Sequence, residues 1–357
     1  MSDSKIKKLE YFIKEKIAHI FDRKTPPILI DTPNNLFNFN DPQRILLLRH
    51  DRIGDVLIST PLIKLLRERF PKSEIDILLS EKNISAKNAI IESIDNIYVY
   101  KKNIFHLLLQ LRSLHKRKYD LVIDLFDNQS STSGLLIKFI DPLYSLGLDK
   151  ENRNIYTHVV PLLDKTKIHI VERILKLLLP FGINPNPKSC FLHYKISEND
   201  KQIALELIGK KTKSLRLGIN ISGSSKEKYW GTNNYINFIN KLMQTHSEFE
   251  VFVFSTPNFP DLENILKNTQ AKSAPQSEDF HQYAALLSTC DAIVSVDTAA
   301  VHLAAAFHIP CVALYSTGKS DLLPWYPYNS PHHILTTENS LENISIDEVL
   351  NVLEDLI

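Results

Sequence analysis

Two acidic residues stand where an apolar strand gives way to a helix, and each could act on a bound ligand. The first is Asp55, within RILLLRHDRIGDVLISTP at residues 44–61. Residues 45–48 are a continuous apolar run, the pattern of a strand covered on both faces, and Gly54 allows a sharp turn that presents Asp55 at the strand end. Ligands of open α/β sheets bind outside the carboxyl ends of the strands, which makes Asp55 a candidate general base. The plainer reading is that Asp55 caps a helix over 56–70, a common use of Asp at helix starts. This segment alone does not separate the two.

The second acid is Asp297, in DAIVSVDTAAVHLAAAFHIPCVALY at 291–315. Residues 292–296 form a strand, Asp297 and Thr298 open an apolar helix, and Pro310 ends it before a strand at 311–315, together one parallel βαβ unit. The N–H groups of Thr298, Ala299 and Ala300, with the helix dipole, suit a phosphate or other anion. A third segment, GINISGSSKEKYWG at 218–231, brings Ser222, Gly223, Ser224 and Ser225 and then Lys226, Lys228 and Trp230 past a strand end. Hydroxyls, exposed amides and an ammonium fit a diphosphate. The spacing is neither a Walker loop nor GxGxxG, and by composition alone it reads as a solvated turn; its place after the first strand of a second domain strengthens the functional reading. The sequence holds no Asp-x-Asp motif. A metal-bridged nucleotide sugar is therefore disfavoured, and Lys228 with the helix start at Thr298 would neutralise the phosphates.

The elements that must carry these residues alternate along the chain. Strands are expected at 45–48, 75–79, 97–100 and 121–125 with helices between, then a helical stretch at 168–179 and a linker at 180–187 rich in glycine, asparagine and proline. A second series follows at 215–221, 250–254, 292–296 and 311–315, and a helix at 345–357 closes the chain. The reading is two doubly wound parallel-sheet domains, 1–183 and 184–357. Of only nine glycines, Gly54, Gly223, Gly231 and Gly318 fall at strand ends, where backbone turns or approaches a ligand closely.

A chain of 357 residues with 43% hydrophobic content is about two ordinary domains, and a net charge of +1 gives no reason to expect nucleic acid. Three widely spaced cysteines, Cys190, Cys290 and Cys311, read as reduced core thiols in a cytosolic protein. No apolar run reaches the ~18 residues that a membrane span needs, and the charged start does not resemble a signal peptide. Over residues 1–24, Ile6, Leu9, Ile13, Ile17 and Ile20 fall at helical spacing among lysines. Such a helix could rest on anionic lipid or dock on the N-terminal domain.

Taken together, RHDRIGDVLISTPLIKLLRERFPKSEIDILLS, YDLVIDL, HIVERILKLLLPFGI, SGSSKEKYW and VDTAAVHLAAAFHIPCVALY resemble glycosyltransferase family nine, the heptosyltransferases of lipopolysaccharide core synthesis. The resemblance implies the GT-B fold, two Rossmann-like α/β domains facing across a cleft. It also implies a nucleotide-sugar donor, typically ADP-heptose, on the C-terminal domain and a glycan or lipid-linked acceptor on the N-terminal one. On this reading Asp55 is the base and Lys228 binds phosphate. Asp297, Thr298 and the backbone of Ala299 and Ala300 hold the donor, and His302 either contacts it or packs beside it. The loop 276–280 would receive the nucleotide base, and Asp261 or Glu263 the ribose. With Gly54, Arg49 and Arg52 would meet an anionic acceptor such as Kdo, ordinary surface salt bridging being the alternative for both arginines. Ala299 replaces a glycine usual in the family and Gly231 a proline, which bears on the sugar's identity. The implied activity is an inverting transfer without metal or cofactor, in the cytoplasm, either free or peripheral at the cytoplasmic face of the inner membrane. A GT-B sugar-nucleotide epimerase and a non-catalytic sugar-nucleotide-binding module are the alternatives.

Overall fold

The structure is a computed structural model that describes residues 21–36, 41–101, 103–223, 225–318 and 320–357. The basic stretch expected over 1–24 lies almost wholly outside the described residues, and Ser224 lies outside them too. The chain divides into two compact units, Met1–Asp164 with Ile170–Ser189 and Lys165–His169 with Cys190–Ile357. The division comes after Ser189 because the stretch read as a linker is tied to the first unit. Phe181 is buried and meets Phe70 edge-on at 5.3 Å, and Gly182 donates its N–H to Asn34 O.

In the first unit β1 (Ile28–Leu29), β2 (Arg44–Leu48), β3 (Glu74–Ser80), β4 (Asn96–Tyr100), β5 (Leu121–Asp124), β6 (Tyr144–Leu148) and β7 (His158–Val160) form one sheet. Their order is β1-β7-β6-β5-β2-β3-β4, with every pairing parallel. In the second unit β8 (Leu215–Asn220), β9 (Phe249–Phe254), β10 (Lys272–Ser273), β11 (Ala292–Val296), β12 (Cys311–Ser316) and β13 (His332–Thr337) lie in the order β10-β9-β8-β11-β12-β13, again all parallel. Both sheets are built outward in one direction and then restarted beside their first long strand. The chain runs β2, β3, β4 and returns to β5, and likewise β8, β9, β10 and returns to β11. Because parallel crossovers are right-handed, the reversal sends successive helices to opposite faces and opens a crevice at the carboxyl ends of β2 and β5 and of β8 and β11. This is the doubly wound arrangement that the alternation of elements predicts.

The expected long strands appear near their expected bounds because each is a short apolar run bordered by polar residues. β1, β6, β7, β10 and β13 are the additions, and none shows such a run: β7 is three residues long and β13 reads HHILTT with only partial burial. The helix expected over 56–70 is Ile53–Arg69, three residues earlier at its start, and the one expected over 345–357 is Ile346–Glu354 behind a capping box of Ser345 and Glu348. The helical stretch at 168–179 resolves into an α-helix at Ile170–Leu175 followed by a 3₁₀ turn at Lys176–Leu178. No disulfide joins the three cysteines, all of which are buried, and burial pushes the Cys290 and Cys311 thiols up to about 12.

Candidate active site

In the first unit, β2 delivers Arg49, His50 and Asp51 into the crevice, and the helix Ile53–Arg69 then presents Asp55 on its first turn. Both readings of Asp55 hold in part. Its Oδ2 accepts the Arg52 N–H at 3.0 Å, a helix-start role, while the residue is only 5% exposed and its Oδ1 stands 3.5 Å from Arg49 Nη2. Gly54 lies inside this helix and is not among the glycines with positive φ, so the turn expected of it is made without that conformation.

Arg49 differs from its expected role as an acceptor contact. It is 2% exposed, with Nε donating to Asp55 O and Nη1 to Leu125 O, both at 2.9 Å. Its own carbonyl takes the Asn83 Nδ2–H at 2.8 Å. The guanidinium therefore locks β2, β5 and the Asp55 helix together, and its side chain does not reach outward. Arg52 is exposed and remains the outward cation of the pair.

Composition and spacing did not single out Asp51. Its Oδ2 is 3.6 Å from Arg49 Nη1, while its buried Oδ1 has no hydrogen-bond partner among the described residues. Burial, with the Asp55 carboxylate nearby, raises its pKa to about 6 against the pull of Arg49. His50 is held between Phe126 and Tyr100, centroids 4.7 and 5.6 Å away, and burial lowers its pKa, leaving it neutral at physiological pH. Beneath lies a second unforeseen group at the end of β5. The buried Asp124 carboxylate binds Lys150 Nζ at 3.1 Å and accepts the Tyr156 hydroxyl at 2.5 Å and Ser133 Oγ at 3.2 Å. The terminal aspartate of the YDLVID strand was the available signal, since an acid closing an apolar strand needs partners once buried. Asp127 pairs with Arg173 at 2.7 Å in the same unit.

In the second unit the loop after β8 meets the loop after β11. Lys228 Nζ forms an ion pair with the Asp297 carboxylate and lies 3.2 Å from Asp297 O. Thr298 caps the helix Ala299–Phe307, its Oγ1 accepting the Ala300 N–H at 3.3 Å, so one of the three N–H groups expected to face an anion is already engaged. Asn220 at the end of β8 ties the loops together, donating from Nδ2 to Thr298 Oγ1 at 3.0 Å and Ser295 Oγ at 3.1 Å. Gly223 is required by close approach: a Cβ there would stand 2.5 Å from Lys228 O. Gly231 has φ +99 and Gly318 φ +58, where L side chains are strained.

The remaining expected residues sort by what surrounds them. Ser222 Oγ accepts the Thr256 N–H at 2.8 Å, so it braces the loop, and Ser225 O accepts the Lys228 N–H at 3.1 Å in the turn that carries Lys228. Trp230 is fully buried, donates Nε1–H to Ile344 O at 2.9 Å and anchors the same loop from below. His302 is 4% exposed, and burial lowers its pKa to about 4, so it is uncharged at neutral pH. Its Nδ1 has no partner among the described residues. Asp261 starts the helix Leu262–Lys267 and interacts with Tyr229 of the site loop, whereas Glu263 pairs with Lys267 at 2.7 Å on an open surface. The loop 276–280 ends at Asp279, which caps the next helix through the Gln282 N–H. Among the described residues no group of three or more His, Cys, Asp or Glu is placed to hold a metal ion.

The family model for glycosyltransferase family 9 (heptosyltransferase) matches residues 109–350. Lipopolysaccharide heptosyltransferase 3 of Escherichia coli is 26% identical over 299 residues, covering 78% of this chain and 84% of that protein. Among solved structures, the glycosyltransferase family 9 protein of Veillonella parvula DSM 2008 superposes with a TM-score of 0.74 at 21% identity, covering 88% of this chain and 97% of that one. The E. coli ADP-heptose lipopolysaccharide heptosyltransferase II does so at 0.70 with 22% identity, covering 88% and 98%. These likenesses agree with the GT-B fold that the sequence resemblance implies.

Proposed function

The chain belongs to glycosyltransferase family 9, and from that premise we propose that it moves a sugar, heptose from ADP-heptose, onto a lipopolysaccharide core or related glycan acceptor by single displacement with inversion. The observation that carries this reading is the Lys228–Asp297 pair at the capped start of the helix Ala299–Phe307. An ammonium and a helix N-terminus converge where a leaving diphosphate would gain charge. Both partners of the pair keep some exposure, 26% and 33% of their side chains, so a diphosphate can recruit Lys228 while Asp297 accepts sugar hydroxyls. The E. coli structural relative, an ADP-heptose lipopolysaccharide heptosyltransferase, supports the same donor class.

Asp55 takes the acceptor's proton as the oxygen attacks the anomeric carbon, with Arg49 fixing the carboxylate's position through the backbone of its own helix. Positioning and general-base help act beside the stabilisation of the leaving diphosphate, and no step calls on a metal. The test is a panel of nucleotide sugars followed by melting temperature, since a ligand bound only by the folded state raises it. ADP-heptose should give the largest shift, and Lys228→Met should remove most of it while Asp55→Asn leaves it intact. A shift that survives Lys228→Met, or donor turnover that proceeds without any acceptor, would refute the assignment.

A further inference from the structure

One helix of the first unit turns an apolar, basic face to solvent. In Ile104–Lys116, Phe105, Leu108 and Leu109 are 75%, 50% and 65% exposed, while Leu111 and Leu114 on the other side are buried. Arg112 and Lys116 are exposed as well. At about 100° per residue, positions 105, 108, 109, 112 and 116 fall within about 60° of one line. The stripe therefore reads apolar over its first two turns and cationic over its last. Residues 101–118, KKNIFHLLLQLRSLHKRK, contain no aspartate or glutamate. Of the described lysines and arginines here, Arg117 is held by Glu74 and Asp76 and Lys101 approaches Glu81 at 3.7 Å, which leaves Arg112, Lys116 and Lys118 facing outward.

We propose that this stripe docks the protein on an anionic lipid surface, with Phe105, Leu108 and Leu109 entering the boundary between headgroups and acyl chains and Arg112 and Lys116 against lipid phosphates. Charge complementarity selects the occupant. Large apolar side chains beside cations, in a stretch without a single acid, suit a surface of uniform negative charge. No helix among the described residues is long and apolar enough to cross a membrane, so attachment from the surface is the mode these residues offer.

Topology adds a consequence. The helix follows the carboxyl end of β4, so its N-terminal turn and Phe105 stand at the same edge of the sheet as Asp55. Docking by that turn would bring the base to the level of headgroups. A lipid-carried acceptor is the case that profits, and this clause rests on the transferase reading; the docking itself does not.

The test is co-sedimentation of the full chain with vesicles of mixed phosphatidylglycerol and phosphatidylcholine and with pure phosphatidylcholine, residues 1–24 being left intact throughout. The wild type should bind the mixed vesicles and release them in high salt. The triple change Phe105→Gln, Leu108→Gln, Leu109→Gln should cut partitioning roughly tenfold or more. Arg112→Glu with Lys116→Glu should remove the preference for anionic lipid, about fivefold or more per residue. All five side chains are exposed, so each variant should keep the wild-type melting point. Unchanged binding in the triple variant, or equal binding to both vesicle types, would overturn the proposal. So would a wild-type dimer in light scattering that the same substitutions dissolve, which would mark the stripe as a contact between copies. Binding is read without turnover, so its failure would leave the transferase assignment standing.

Discussion

Gly223→Ala is the sharpest perturbation that the second unit offers. A Cβ at residue 223 would stand 2.5 Å from Lys228 O and 2.6 Å from Lys228 Cβ, where ordinary contact begins at 3.4 Å. About 1 Å of separation is missing, and the obstacle is backbone, which cannot rotate away like a side-chain tip. The strain cannot pass down the chain either, because Trp230, two residues beyond Lys228, is fully buried and tied to Ile344 O at 2.9 Å. The 3₁₀ turn Lys226–Lys228 must therefore move and carry Nζ away from Asp297. Misplacing a positioned group by about 1 Å costs about 10²-fold in rate, or about 2.7 kcal/mol of barrier. The assay is steady-state release of nucleoside diphosphate with donor varied, alongside calorimetric titration of ADP. We expect kcat/KM to fall about 10²-fold and ADP to bind more weakly, with overpacking costing about 1 to 3 kcal/mol of stability. A folded Gly223→Ala protein with wild-type kcat/KM and wild-type ADP affinity would refute the reasoning, because the loop's close approach would then have no bearing on the donor.

Asp55→Asn should lower kcat by about 10²- to 10⁴-fold and leave ADP affinity at the wild-type value, measured by the same two assays; retained turnover would remove Asp55 from the base role. Asp51 makes stability depend on acidity: its carboxyl is raised from 3.8 to about 6, so the folded state holds the proton more tightly, and stability falls as pH rises through that window. With 27% of the side chain exposed, the loss amounts to about 1 kcal/mol after solvent screening. Asp51→Asn should remove this fall, and melting curves on either side of the window that show the same difference between variant and wild type would contradict it. Trp230→Phe should cost about 1 to 3 kcal/mol, through the lost bond to Ile344 O and the space left behind, and a denaturant midpoint equal to wild type would count against Trp230 as the loop's anchor.

Much of the frame is legible in the residues because a strand buried on both faces must be apolar over most of its length, a buried charge such as Asp76, Asp124 or Arg216 standing only where it is partnered. β2, β3, β5, β8, β9, β11 and β12 announce themselves in this way. β1 and β10 are two residues each, and edge strands like β13 mix polar with apolar, so periodicity has nothing to act on. At the site, Asp297 and Thr298 stood out because strand, acid and helix follow one another directly in the chain, and Lys228 because its serine- and lysine-bearing loop follows the first strand of the second series. Asn83, Asn220 and Lys150 were not, since their significance comes from partners 26 to 78 positions away, such as Lys150 to Asp124 and Asn220 to Thr298, and Asp51 was not because its character is set by burial, which spacing does not show. Arg49 shows the converse: an arginine beside the turn that carries Asp55 invites a ligand role, and only its burial reveals a brace.

The cysteines carry a practical consequence. Cys290 and Cys311, with thiols pushed up to about 12, offer almost no thiolate at neutral pH, and Cys190 is covered as well. Maleimides and mild oxidants react through the thiolate, so the native chain should resist them. A single engineered thiol, Phe105→Cys, would then be the one reactive handle on the molecule, and a fluorophore attached there would report immersion in a bilayer by its colour without any need to delete the natural sulfurs.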